Sequence, residues 1–296
     1  MIGENINILS NRRPWKESPI YETIRLFFRN PTGIIALAII LFFIALATVG
    51  PNLAPYNPDT QYLNEALLPP SAAHLFGTDI VGRDIFSRVL YAVRLDLELA
   101  FLSVSISYVV GVGLGILAGY LGKITDNVVM RSMDILFSFP SILFAIALSV
   151  AIGPSFWTLI IAITVVTIPT FARVARSTVL STKNELYVTA AISIGAKKGH
   201  IMLRHILPVS VTPTIVLYAL NLGAAVIVAA SLSFLGVGIR PPTPELGAII
   251  TDGFQYIVSG QWWMTVFPGL FIVLLVIGFN MMGDAVREAT DVTLRR

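Results

Sequence analysis

The chain has no cysteine among its 296 residues, and charge is scarce, with Asp, Glu, Lys and Arg making up 12%. Without cysteine there is no disulfide framework and no thiolate metal site. A soluble domain carries about 25% charged residues, so this composition, with a mean hydropathy of +0.80, belongs to a membrane protein. There are 3 histidines, His74, His200 and His205. None stands at metal-ligand spacing with a carboxylate, and no metal is expected. A phosphate-cradling GxxxxGK[ST] loop is missing too: Gly122-Lys123 lacks both the upstream glycine and a following hydroxyl residue. No nucleophile–base pair is legible. An enzyme that hydrolyses ATP is thereby excluded, and no cofactor is expected. The net charge of +3 is small, and apolar runs interrupt the basic residues, which excludes a nucleic-acid surface. The N-terminus is polar to about residue 30 and no small-residue cleavage site follows the first apolar run, so no cleavable signal is expected.

What the chain does have is long uncharged runs. A membrane span needs ~20 mostly apolar residues. Residues 33–50 make a first span and 99–122 a second. Residues 135–172 are too long for one span, and Gly153-Pro154 is the natural turn between a third and a fourth. Residues 51–96, with several prolines and charges, read as a long aqueous or interfacial loop, and 173–205 as a polar, basic stretch. Residues 206–239 form either one long kinked helix or two short ones. The positive-inside rule decides for one helix. Arg12, Arg13, Lys16, Arg25, Arg29, Lys123, Arg131, Arg173, Arg176, Lys183, Lys197, Lys198, Arg204, Arg287, Arg295 and Arg296 then share one side, against Arg83, Arg88, Arg94 and Arg240 on the other. Residues 240–263 are polar, and a last span starts near Trp262-Trp263, whose rings suit an interface, and runs to about Gly283.

The expectation is an all-α polytopic protein of six spans in the cell membrane, surrounded by lipid, with both termini cytoplasmic. Its parts are a cytoplasmic segment (1–30), a first transmembrane helix (31–50), an extracytoplasmic loop (51–96), a transmembrane domain (97–290) and a cytoplasmic tail (291–296).

Residues 187–208, YVTAAISIGAKKGHIMLRHILP, are the most informative segment. Tyr187, Ala190, Ala191 and Ile194 recur at helical spacing and make a small-residue face that lets another protein approach closely. Gly195 can end a helix in the left-handed conformation, and Pro208 suits the first turn of the next span. The segment therefore reads as helix, glycine turn, helix, then span. The bland alternative is an ordinary basic cytoplasmic loop.

This stretch resembles the Glu-Ala-Ala signature of ABC importer permeases, which continues with three residues, a glycine, and an apolar-Leu-Pro ending. Thr189, Ala190, Ala191, Gly195, Leu207 and Pro208 match its spacing; Thr189 replaces the glutamate, and His205 stands where the consensus has isoleucine. Residues 74–97, 119–141, 234–250 and 267–288 are similar to the C-type permease subunit of dipeptide, oligopeptide and nickel transporters, as is the N-terminal RLFFRNPTGIIALAII. The resemblance implies a type I ABC importer permease fold, with segment 186–206 as a coupling element docking on an ATPase. Tyr187, Thr189, Ala190, Ala191, Gly195, His200, Arg204, Leu207 and Pro208 fall in or beside that element. It also implies partners: a homologous B-type permease subunit, two ABC ATPase subunits and an extracytoplasmic solute-binding protein. The cargo it suggests is di- or oligopeptide, with oligosaccharide, nickel chelates and glutathione as alternatives.

Asp96 stands where the resembled subunits usually have a small polar residue just after Arg94-Leu95, and Glu98 follows it. They are either carboxylates at an interfacial helix start or contacts on a substrate path. Gly111, Gly115 and Gly119 make overlapping GxxxG patterns for close helix packing, within the chain or against a partner. Pro140, Pro169, Pro213 and Pro268 kink helices or serve as hinges. A secondary transporter or channel, the rival class, needs repeats or intramembrane charges. No repeat is visible and no carboxylate is expected deep in a span. A structural scaffold is the third class.

Overall fold

The computed structural model describes residues 19–290, whose regular secondary structure is helical, with one isolated bridge between Thr78 and Asp84. Residues 1–18 of the N-terminal segment and the tail 291–296 lie outside the described residues, and with them Arg12, Arg13, Lys16, Arg295 and Arg296. An amphipathic helix, α1 (Pro19–Arg29), leads into the first span, α2 (Pro31–Leu53). Asn30 caps α2, accepting from the Thr32 amide at 2.9 Å, and its amide also donates to Glu288. The long helices that follow are α3 (Ile85–Leu121), α6 (Phe156–Thr182), α9 (Leu207–Phe234) and α11 (Trp263–Thr290). Between them stand α4 (Lys123–Phe137), α5 (Ser141–Ile152), α7 (Leu186–Ser193), α8 (Lys198–Ile201) and α10 (Leu246–Phe254).

Among the described residues, 5 helices are long and apolar enough to cross a membrane, and α4 with α5, bent by 88°, supplies a sixth crossing if the pair is one span. The break falls at Pro140, which caps α5; a proline within the helix would remove a hydrogen bond and clash with the preceding turn. The turn expected at Gly153-Pro154 is present, with Gly153 at φ +100° between α5 and α6.

The packing centre is the α3–α6 contact, which GxxxG makes possible. A β-carbon on Gly115 would stand 2.4 Å from the Ala172 carbonyl oxygen, and one on Gly111 would stand 2.7 Å from that of Ile168. The glycines therefore let two helices of the same chain approach backbone to backbone.

Three expectations are corrected. First, the loop expected over 51–96 ends at Asp84, where α3 begins. Asp84 caps α3 by accepting from the Ser87 amide at 2.7 Å, and the helix then runs unbroken for 37 residues. Arg88, Arg94, Asp96 and Glu98 suggested an aqueous stretch, yet Arg88 and Asp96 are buried within the protein. Asp96 is thus no helix start, and a carboxyl does lie well inside a membrane-length helix. Second, the element after Gly195 is not separate from the next span. Residues 198–234 form a single helical rod, and Pro208 sits inside it. Pro208 has no N–H, so Arg204 loses its usual helical donor, and the rod widens into a π turn over Met202–Ile206, where the Leu207 amide bonds to the Met202 carbonyl. Third, the polar stretch 240–263 contains a largely buried helix, α10, capped by Glu245 through the amides of Gly247 (3.0 Å) and Ala248 (2.7 Å).

Candidate functional site

The segment between α6 and α9 is built from local rules. α7 turns Val188 and Ala191 inward, and Val188 is fully buried. Its end is closed by a Schellman motif: the Ala196 amide donates to Ala191 O at 3.1 Å and the Gly195 amide to Ile192 O at 2.9 Å. Gly195 has φ +82°, the conformation this motif requires and one that disfavours any side chain. With α7 fixed this way, Leu186 and Ile194 are each 86% exposed, and Tyr187, Thr189 and Ala190 are exposed beside them. Ala191 departs from the expected face and packs underneath. The Thr189 hydroxyl donates to its own helix, at Glu185 O (3.2 Å).

The basic residues of 173–205 divide into two groups. Arg176 pairs with Asp126 of α4 at 2.5 Å, Arg173 pairs with Asp134 at 2.8 Å, and the Lys183 ammonium donates to Gly119 O at 3.3 Å. These contacts brace α4 and α3 against α6. Lys197, Lys198 and Arg204 form no ion pair among the described residues and are exposed with His200. The His205 ring lies between Tyr187 (6.1 Å) and His200 (5.8 Å). The segment thus presents an apolar face with an unpaired cationic flank. Leu207 and Val211, at the start of α9, line an apolar cavity of about 600 Å³ with Tyr108, Val112 and Ile116 of α3.

At the other end of the molecule, charged groups are buried and paired with one another. Arg83 binds Asp79 (2.6 Å) and Asp252 (3.3 Å), and Arg88 donates to the carbonyls of Pro58 (3.2 Å) and Pro242 (3.4 Å). His74 bridges Asp84 (2.9 Å) and Glu65 (3.4 Å) under the stacked ring of Tyr56. Burial pushes the Asp252 carboxyl up, against the pull of Arg83 and Arg88. Asp96 and Glu98, paired in the sequence reading, point to different surroundings. Asp96 is buried and accepts from the Leu246 amide at 3.2 Å, while Glu98 is exposed in an ion pair with Arg94 (2.9 Å) along an open groove with Ile44 and Phe101. Sequence reasoning missed Glu245; its one local signal is an acid directly before the apolar run LGAII.

This helical architecture has relatives. A model of the binding-protein-dependent transport system inner membrane component matches residues 111–296, more than half of the chain. The chain belongs to this family. A second model, the N-terminal TM domain of oligopeptide transport permease C, matches residues 18–70. The dipeptide transport system permease protein DppC of Alkalihalophilus pseudofirmus is 42% identical over 274 residues, covering 93% of this chain and 90% of its own. DppC of Bacillus subtilis is 40% identical over 268 residues, covering 90% and 84%. The glutathione transport system permease protein GsiD of Pectobacterium atrosepticum is 39% identical over 290 residues, covering 97% and 93%. A chain of the MetNI methionine ABC transporter, solved in inward-facing conformations, superposes with a TM-score of 0.56 at 22% identity, over 69% of this chain and 96% of its own, and shows the shared fold. As a binding-protein-dependent transport permease, the chain is a multi-pass inner-membrane transport subunit, and ATP hydrolysis belongs to a separate subunit.

Proposed function

We propose that this permease forms one half of a peptide path, pairs with a homologous B-type subunit, and is driven by two ATPases that dock on segment 187–208. An extracytoplasmic binding protein delivers the cargo to the opposite face, and both termini are cytoplasmic. The observation that carries the docking role is α7: its Schellman end holds Leu186, Tyr187, Ala190 and Ile194 out in water beside the free cations Lys197, Lys198 and Arg204. A helix that leaves its apolar face uncovered is a docking face. Because α8, the π turn and α9 form one rod, a push on the segment moves a whole span. Closure of the ATPase dimer on ATP then rocks the spans to face outward, and hydrolysis resets them; packed helices switch between discrete arrangements and turn small shifts into large ones.

Peptide cargo is supported by the dipeptide permeases among the relatives, and the glutathione permease keeps a modified tripeptide within reach of the same path. Of the two carboxylates, Glu98 is the one left open to a cargo ammonium group. The test is uptake of labelled dipeptide into proteoliposomes holding the complete importer. Gly195→Pro removes an amide donor and forbids φ +82°, and Ala191→Trp overfills the site beneath α7. Both variants are expected to insert normally and to hydrolyse ATP without moving peptide. Wild-type uptake by both would remove the coupling role.

A further inference from the structure

Asp96 and Glu245 lie 149 positions apart in the chain and meet where α3 passes the start of α10. Asp96 is 2% exposed and Glu245 fully buried. Asp96 accepts from the amide of Leu246, the residue next to Glu245, so the two carboxyls are neighbours. Glu245 spends its two oxygens on the Gly247 and Ala248 amides, and Asp96 spends Oδ2 on the Leu246 amide. Among the described residues, Asp96 Oδ1 has no hydrogen-bond partner, and neither has the buried Ser233 hydroxyl of α9, the helix whose Ala230 backbone packs on Gly247 at the start of α10.

Among the described residues no cation pairs with either acid. α9 contributes Ser233 and no charged group, and α2 has no titratable side chain. The titratable groups of α11, Asp284, Arg287 and Glu288, lie in its last turns. On α3, Arg88 is held by the Pro58 and Pro242 carbonyls and by Asp79, while Arg94 and Glu98 pair with each other in the open. Asp252, further along α10, faces Arg83, and Arg240 in the preceding loop is exposed. Two ionised carboxylates in so dry a place repel strongly, and a single proton between them removes both the repulsion and one desolvation penalty.

We propose that Asp96 and Glu245 form a proton-binding site that latches the outer end of α3 to α10. The proton sits on Asp96 Oδ1 and is donated to the Glu245 carboxylate, which the α10 amides favour as the ionised partner. Loss of that proton as the pH rises puts two negative charges in the joint and loosens α10. The latch is independent of cargo and of the docking role of segment 187–208.

The test is thermal unfolding of the full chain, purified in detergent with whatever subunits accompany it, from about pH 6 to about pH 10. Wild type is expected to lose on the order of 5 °C in melting temperature over that range. Asp96→Asn supplies a permanent amide donor in place of the shared proton and should show at most a small part of that loss. Glu245→Gln, which likewise leaves one charge, should behave the same way should Asp96→Asn not fold. Infrared difference spectra of wild type should contain the C=O stretch of a protonated carboxylic acid at neutral pH, absent in Asp96→Asn. Equal pH sensitivity in wild type and both variants, or no such band in wild type, overturns the proposal. So does stabilisation by sodium at fixed neutral pH that Asp96→Asn abolishes, since the ligand would then be a metal cation.

Discussion

The two ends of this permease treat charge in opposite ways. Around the start of α3, Asp79, Arg83, Arg88, Asp84 and His74 are buried, and each finds its partner inside the chain. At the end that carries α7, Lys197, Lys198, Arg204 and His200 stand in the open beside Leu186 and Ile194. The first region is complete as a single chain, and its buried charges force one arrangement, because any other leaves an ion in a dry place without a counter-ion. The second has a rigid backbone, set by a glycine turn and a π turn, but an unfinished surface. The docking role proposed for α7 fits this division: the end that would receive force stays accessible, while the other end holds its geometry.

The comparison breaks most visibly if the charge network at the start of α3 is cut. Asp79→Ala leaves Arg83 and Arg88 buried with one fewer counter-ion and is expected to destabilise by about 3–5 kcal/mol. Size-exclusion profiles and melting curves in detergent check this, and a change below about 1 kcal/mol would mean the network is ornamental. The reverse case is Ile194→Asp, on a side chain that touches little of its own chain. Stability is expected to stay within about 0.5 kcal/mol of wild type while co-purification of the ATPase falls at least tenfold. A variant that unfolds instead would show that this end, too, is finished within the chain. The smallest effect belongs to Thr189→Glu, which puts the family's usual acid at that position. An exposed polar contact contributes at most about 1 kcal/mol, so ATPase retention should rise by no more than about fivefold, read by titrating the ATPase onto immobilised permease.

The features legible in the sequence are those that depend on near neighbours. The uncharged runs became the spans, because a stretch without charge has nowhere cheaper to go than the bilayer. Gly153 and Gly195 became turns at the expected places, because only glycine accepts their backbone angles freely. The spacing from Thr189 to Pro208 was sufficient to mark the segment. What the sequence could not show is the partnering of residues far apart in the chain. Charges at 88 and 96 suggested a loop, since a charge usually seeks water. Whether Arg88 instead finds carbonyls at Pro58 and Pro242, or Asp96 an amide at Leu246, depends on how α3 and α10 come to lie together. The proline at 208 likewise promised a helix start. Only the packing of the continuous rod decided that its missing N–H would be absorbed by a wider turn, because a helix held along its length against α3 and α11 loses less by widening than by breaking.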